Sequence, residues 1–221
     1  MKRILFFCLL ILLTVFAFAE FQLSPSLGYF YNIDTYDSDF KRSFIGTNDS
    51  VTVRYFFVQG FGLFFGIDTK VWIFGNNDDL YDKDAYIASE FSIGGKFDFN
   101  FGLALSFPIN DKFRLQSDIG LSQTILGFEY ISWEEEYSNG ERDKIEIILT
   151  NMVSTGLYAS VFGCIGARKV NFIFGLKVDF KFNRGEKGEM SIGDEKISIS
   201  DTPDFWGLAI SPFAGAVFRF R

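Results

Sequence analysis

From residue 20 onward, apolar and polar residues alternate with period two. Leu63, Phe65, Ile67, Thr69, Val71 and Ile73 interleave with Phe64, Gly66, Asp68, Lys70 and Trp72. Phe97, Phe99, Phe101, Leu103, Leu105 and Phe107 alternate with Lys96, Asp98, Asn100, Gly102, Ala104 and Ser106. Phe172, Phe174, Leu176, Val178, Phe180 and Phe182 alternate with Asn171, Gly175, Lys177, Asp179 and Lys181. A strand sorts such residues onto two faces, whereas a helix would scatter them around its circumference. Gly, Pro, Asn and Asp punctuation yields eight strand segments, near 21–32, 50–58, 63–74, 87–107, 113–131, 145–164, 170–183 and 205–220. The 145–164 segment is the least decisive, because Ile147, Ile148 and Leu149 run together as they would in a helix. Residues 59–62, 108–112 and 165–169 form tight turns, while 33–49, 75–86, 132–144 and 184–204 are long and polar. The pattern predicts an all-β, eight-stranded antiparallel up-and-down barrel with both termini at the short-turn end.

Two kinds of barrel share this pattern. A lipocalin-like carrier has a dry interior and a charged exterior, and a transmembrane barrel is the reverse. Charge sorting helps, although either type predicts it, and the composition of each face makes the difference. Arg54, Asp68, Lys70, Glu90, Lys96, Asp98, Arg114, Asp118, Glu146, Lys177, Asp179, Lys181 and Arg219 fall on the polar face, and only Glu129 falls on the apolar one. Small residues such as Gly28, Gly66, Gly94 and Gly120 share the polar face, while Phe and Leu dominate the other. Nearly balanced charge among small residues suits an enclosed, ion-paired lumen. Moving one of these cations to lipid at mid-depth would cost about 2–4 kcal/mol. A bulge near Leu126, Phe128 and Tyr130 would flip the register and return Glu129 to the interior.

Most segments provide the roughly 9–11 residues that a tilted membrane strand needs. Segments 87–107 and 113–131 exceed that length and are expected to rise on the long-loop side. Tyr29, Tyr31, Tyr130, Trp133, Phe205 and Trp206 above, with Phe107, Phe113, Phe172 and Phe218 below, would form two aromatic girdles. By parity, Phe56, Phe64, Trp72, Tyr158, Phe162 and Phe213 point inward and would line a lumen pocket.

The remaining features concern export and chemistry. Met1-Lys2-Arg3 precedes an apolar run, Ile4 to Phe16, and Ala17-Phe18-Ala19 offers small residues for cleavage before Glu20. This predicts a signal peptide over 1–19 and a barrel domain over 20–221. The mature chain then keeps only Cys164, so no internal disulfide is expected. Among the 221 residues there is no histidine, which removes Ser-His-Asp and Cys-His catalysis and every His-ligated metal site. No enzymatic activity and no cofactor are expected. A net charge of −7 disfavours nucleic acid as a partner. The four long connections hold 19 acids and 8 bases, as solvated loops would. Asp78, Asp79, Asp82 and Asp84 supply oxygen donors suited to calcium but lack the spacing and glycine of a known calcium loop.

The C-terminal segment reads Trp206, Leu208, Ile210, Pro212, Ala214, Ala216, Phe218 and Phe220 in alternation. It resembles the signal that outer-membrane assembly machinery reads, here carried by Phe218 and Phe220, with Arg221 as a departure after the final Phe. With the leader and the eight segments, the chain resembles small eight-stranded bacterial outer-membrane proteins of the OmpA-transmembrane-domain, OmpX and OmpW kind. That resemblance implies residence in the bacterial outer membrane, contact with its lipid and with the assembly machinery, and a surface, adhesive or small-solute role. Three functions stay open. The first is a closed, monomeric barrel whose acidic loops serve adhesion, extracellular ligand binding or envelope integrity. The second is a narrow channel or binding site for small apolar solutes, and the third is a secreted lipocalin-like carrier.

Overall fold

The computed structural model describes residues 20–36, 40–77, 85–137, 142–166, 169–192, 195–201 and 205–220. They form nine strands: β1 (Glu20–Tyr36), β2 (Phe40–Val58), β3 (Phe61–Asn77), β4 (Ala85–Pro108), β5 (Phe113–Tyr137), β6 (Arg142–Ile165), β7 (Val170–Ile192), β8 (Glu195–Asp201) and β9 (Phe205–Phe220). All pairings are antiparallel, and neighbours run β6-β5-β4-β3-β2-β1-β9-β7, with β6 pairing β7 to close a ring of eight strands. Closure matters physically, because it leaves no strand edge exposed to hydrocarbon. The β2–β3 turn is tight because Gly60 takes a φ of 80°, a conformation that side-chain-bearing residues avoid.

The ninth strand corrects the sequence expectation. Residues 184–204 are not a loop: Glu186–Ile192 of β7 turns back on β8, with Glu186 opposite Asp201. Lower on the same edge of β7, Lys181 pairs Gly207 of β9. β8 and β9 thus follow one another along the same edge of β7. The other long connections are strand too. β1 and β2 pair up to Tyr36 and Phe40, and β5 and β6 up to Glu136 and Arg142. Polar composition had marked these segments as loops, yet the ladders continue where the outward face is also polar. Described pairing between β3 and β4 ends at Trp72 and Gly94, while β4 follows β5 up to Ala85. Above that level β4, β5, β6, β7 and β8 form a protruding sheet.

The faces are inverted relative to a soluble protein. Phe65 and Phe174 are 47% and 53% exposed, whereas Lys70 and Asp98 are 1% and 0% exposed. This arrangement excludes the water-borne carrier, since a greasy exterior around a charged interior is stable only in hydrocarbon. Two bulges set which residues face in. Ile125 is the extra residue between Thr124 and Leu126, so Glu129 returns to the interior, where it is buried. Thr150 is skipped between Leu149 and Asn151, so Ile145, Ile147 and Leu149 turn inward and Glu146 faces out, contrary to its expected place in the lumen. Phe205, expected in the upper girdle, is buried inside the barrel, whereas Tyr29, Tyr31 and Trp206 are exposed. Below, Phe107, Phe172 and Phe218 are exposed and Phe113 is partly so. Phe220 points out beside Phe21, with ring centroids 5.8 Å apart.

Candidate functional site in the barrel lumen

Each strand contributes every second residue to the lumen, so ion pairs form between positions remote in sequence. At the short-turn end, Glu20 lies 3.7 Å from Arg114 and 3.6 Å from Arg219. One level up, Arg54 donates from Nε and Nη2 to both oxygens of Asp118, with Nη2 to Oδ2 at 2.6 Å. Ser24 accepts from Arg54 at 2.7 Å, and Ser160 donates to Asp118 at 3.0 Å. The planar guanidinium also covers the Phe162 ring at 4.5 Å. The middle level joins Lys70 to Asp98 at 2.9 Å and to Asp179 at 2.8 Å. Lys181 lies 3.5 Å from Asp98 and donates to Ser122 at 2.6 Å. Lys177 donates to Ser50 at 2.5 Å and to Asp68 at 3.2 Å. Above the Glu20 rim, the paired side chains of these levels are at most 6% exposed, so truncating one partner would strand a charge in a medium that cannot solvate it.

A third level sits above these. Arg42 grips Glu129 with two bonds, 2.6 and 3.0 Å, while Trp72 Nε1 donates to the same carboxylate at 3.2 Å. The indole lies across Gly94, where a Cβ would come within 2.3 Å of its ring. Arg184 donates to Asp34 at 2.8 Å and pairs with Glu186. Burial pushes the Glu186 carboxyl upward, and the Arg184 charge opposes that shift. Sequence reasoning placed Asp34, Arg42, Arg184 and Glu186 in loops. The available signal was parity: Arg42 continues the inward row of Arg54, Thr52, Ser50 and Asn48, and Asp34 continues that of Gln22 to Asn32.

Of the expected charge network, the structure brings Arg54, Asp68, Lys70, Asp98, Asp118, Lys177, Asp179 and Lys181 into the buried lumen. Arg114 stands at the lower rim, its side chain 26% exposed. Lys96 lines the cavity between the middle and upper levels. The side chain of Glu90, and all of Asp78, Asp79, Asp82 and Asp84, lie outside the described residues, as do residues 1–19. Among the described residues no cluster of three or more carboxylate and thiol groups is arranged to hold a metal ion.

The six inward aromatics do not share one pocket. Phe56 and Phe64 pack with Tyr158, Phe162 packs with Phe213, and Trp72 packs with Phe30 and Phe44. Ring centroids are 5.5 Å apart for Phe64–Tyr158 and 5.8 Å for Phe162–Phe213. Packing and ion pairs fill the same levels, so these rings serve as plug, and of the six Trp72 alone also lines a cavity. Among the described residues, this cavity of about 20 Å³ lies between Trp72, Lys96 and Lys181, enough for one or two waters.

A ring of eight antiparallel strands, apolar outside and ion-paired inside, defines a membrane-spanning β-barrel of the small outer-membrane kind. The chain matches no protein-family model and no curated protein. Among solved structures it is similar to Ail, the attachment invasion locus protein of Yersinia pestis, with 14% identity, a TM-score of 0.41, and 90% of this chain and 98% of that one covered. It is also similar to Neisserial surface protein A (10%, TM-score 0.43, covering 90% and 97%) and to a major outer membrane protein of Thermus thermophilus (13%, TM-score 0.44, covering 91% and 99%). The architecture itself rests on the strand pairing described above.

Proposed function

We propose that the chain is a closed outer-membrane anchor that presents its protruding sheet for adhesion, interaction or envelope integrity. The observation that carries this reading is the filled lumen: three stacked levels of ion pairs with aromatic rings between them. A conducting pore keeps weak, multiple sites for its ion, whereas these side chains are bound to one another. The protruding sheet supplies what the lumen does not. β8 pairs only with β7 among the described residues, so its other edge offers backbone donors and acceptors above the membrane. In this reading residues 1–19 direct export, the chain works as a monomer, and no catalytic step is involved.

Planar-bilayer recording of the purified barrel is the test. The expected trace shows no steady current in chloride or phosphate salts. Steady, solute-dependent currents would retire the plug and favour the narrow channel. Protease treatment of intact cells checks the orientation, with cleavage expected inside 184–204 and the strands below it protected.

A further inference from the structure

Among the described side chains, nine cations and eight carboxylates face the interior. Eight of the nine cations have a carboxylate within 4 Å. The ninth, Lys96, has no salt bridge and no hydrogen-bond acceptor among those residues. Its cross-strand neighbours are Lys70, a like charge already committed to Asp98 and Asp179, and Gly127, which offers no side chain. A like charge directly opposite is unfavourable, and Asp34, Asp98 and Asp179, which lie near enough to attract this half-buried ammonium, make no direct pair with it.

Lys96 opens onto the 20 Å³ cavity. Two carboxylates, Asp34 and Glu129, also line that cavity, but each is held by an arginine, Arg184 and Arg42 respectively. Asn32 and Ser154 add polar atoms, and Trp72 forms part of the wall. The space therefore contains one uncommitted positive charge, neutral hydrogen-bonding groups and room for a particle the size of one water. We propose that it binds one small monovalent anion of halide size, which gives Lys96 the direct ionic partner it lacks among the described residues and completes the plug. A space of about 20 Å³ is too small for an anion as large as gluconate. This inference goes beyond the anchor reading and can fail while the barrel remains closed.

Crystals of the full barrel soaked in sodium bromide test it directly. An anomalous bromine peak is expected within hydrogen-bond reach of Lys96 Nζ, and Lys96→Met is expected to abolish it. A peak that survives Lys96→Met would be an adventitious ion only and would overturn the assignment. Thermal unfolding in detergent micelles provides a second measurement that needs no crystal. At equal ionic strength, sodium chloride should raise the midpoint of the unaltered chain by roughly 2–4 °C over sodium gluconate. The Lys96→Met variant should melt alike in both salts. Equal melting of the unaltered chain in both salts, together with no bromine peak, would overturn the proposal even if the variant failed to fold.

Discussion

The lower barrel and the protruding sheet use the same strands under opposite rules. Below, Arg54 reaches Asp118 and Lys70 reaches Asp179 across 64 and 109 residues of sequence, and every strand is paired on both sides. Above, Lys144 meets Glu146 two residues away, and Lys196 lies 3.9 Å from Glu189 with both side chains more than 60% exposed. Charges enclosed by the cylinder cannot exchange partners for water, so each pair helps to define the register. Charges on the sheet can, so their partners matter little for stability and their positions are free to serve recognition.

The largest break in that comparison should come from Asp118→Leu. It leaves Arg54 enclosed without its carboxylate, and unfolding by urea in lipid vesicles should show a loss of about 3–5 kcal/mol. Adding Arg54→Met to the same chain should recover most of that loss, because two apolar side chains cost less than one stranded charge. If the double variant is as unstable as the single, the pair is not the coupled unit described here.

The outer face sharpens the comparison. Asp49 lies on β2 between Leu27 and Thr69 and points outward among exposed apolar side chains, including Val51 and Ile67. No side-chain partner is found for it among the described residues. Another polar pair on this face, Thr155 and Gln123, instead bonds to itself at 2.7 Å. A lone carboxylate at the lipid surface costs less than a cation but still costs something. Asp49→Val should therefore stabilise the barrel in vesicles by about 1 kcal/mol. A loss of stability would mean that Asp49 has a partner in the membrane.

The barrel was legible in the sequence because period two survives wherever one face meets lipid and the other the lumen. Lys70, Asp98 and Lys177 could be assigned to the interior from parity once the composition of the two faces had said which one meets lipid. Legibility failed where the contrast between faces faded. Above the apolar belt the outward side of a strand is also polar, so Asp34 and Arg42 read as loop residues although they are buried in the lumen and their strands continue. It failed again at Thr150, where one extra residue reverses parity and sends Glu146 outward. The bulge at Ile125 was foreseeable because Glu129 stood out among apolar neighbours. Thr150 had no such marker, since Ile147 and Ile148 look alike on either face. The division of the inward aromatics into three clusters depended on heights around a staggered ring, which a linear pattern does not encode.

The smallest effect should be found on the sheet itself. Lys144 donates to Glu146 at 2.7 Å, and Tyr130 adds a bond to the same carboxylate at 2.8 Å. The hydrogen bonds from Lys144 and Tyr130 hold the Glu146 carboxyl below its ordinary value of 4.5, and the bond to Glu146 raises the Lys144 ammonium above 10.5. A lowered carboxyl stabilises the folded hairpin above pH 4.5 and loses that contribution as pH falls through its folded value. A raised ammonium contributes below pH 10.5 and loses its effect as pH rises through its own folded value. Protection factors, with the intrinsic pH dependence of amide exchange divided out, should therefore be highest between those limits for the β5–β6 amides around Tyr130 and Glu146, and Lys144→Met should flatten the profile. Protection factors within Arg54–Val58 of β2 should stay unchanged over the same range in both chains. If the flattening extended to β2, the sheet and the barrel would share one cooperative unit, and the separation between enclosed and wetted charge would not hold.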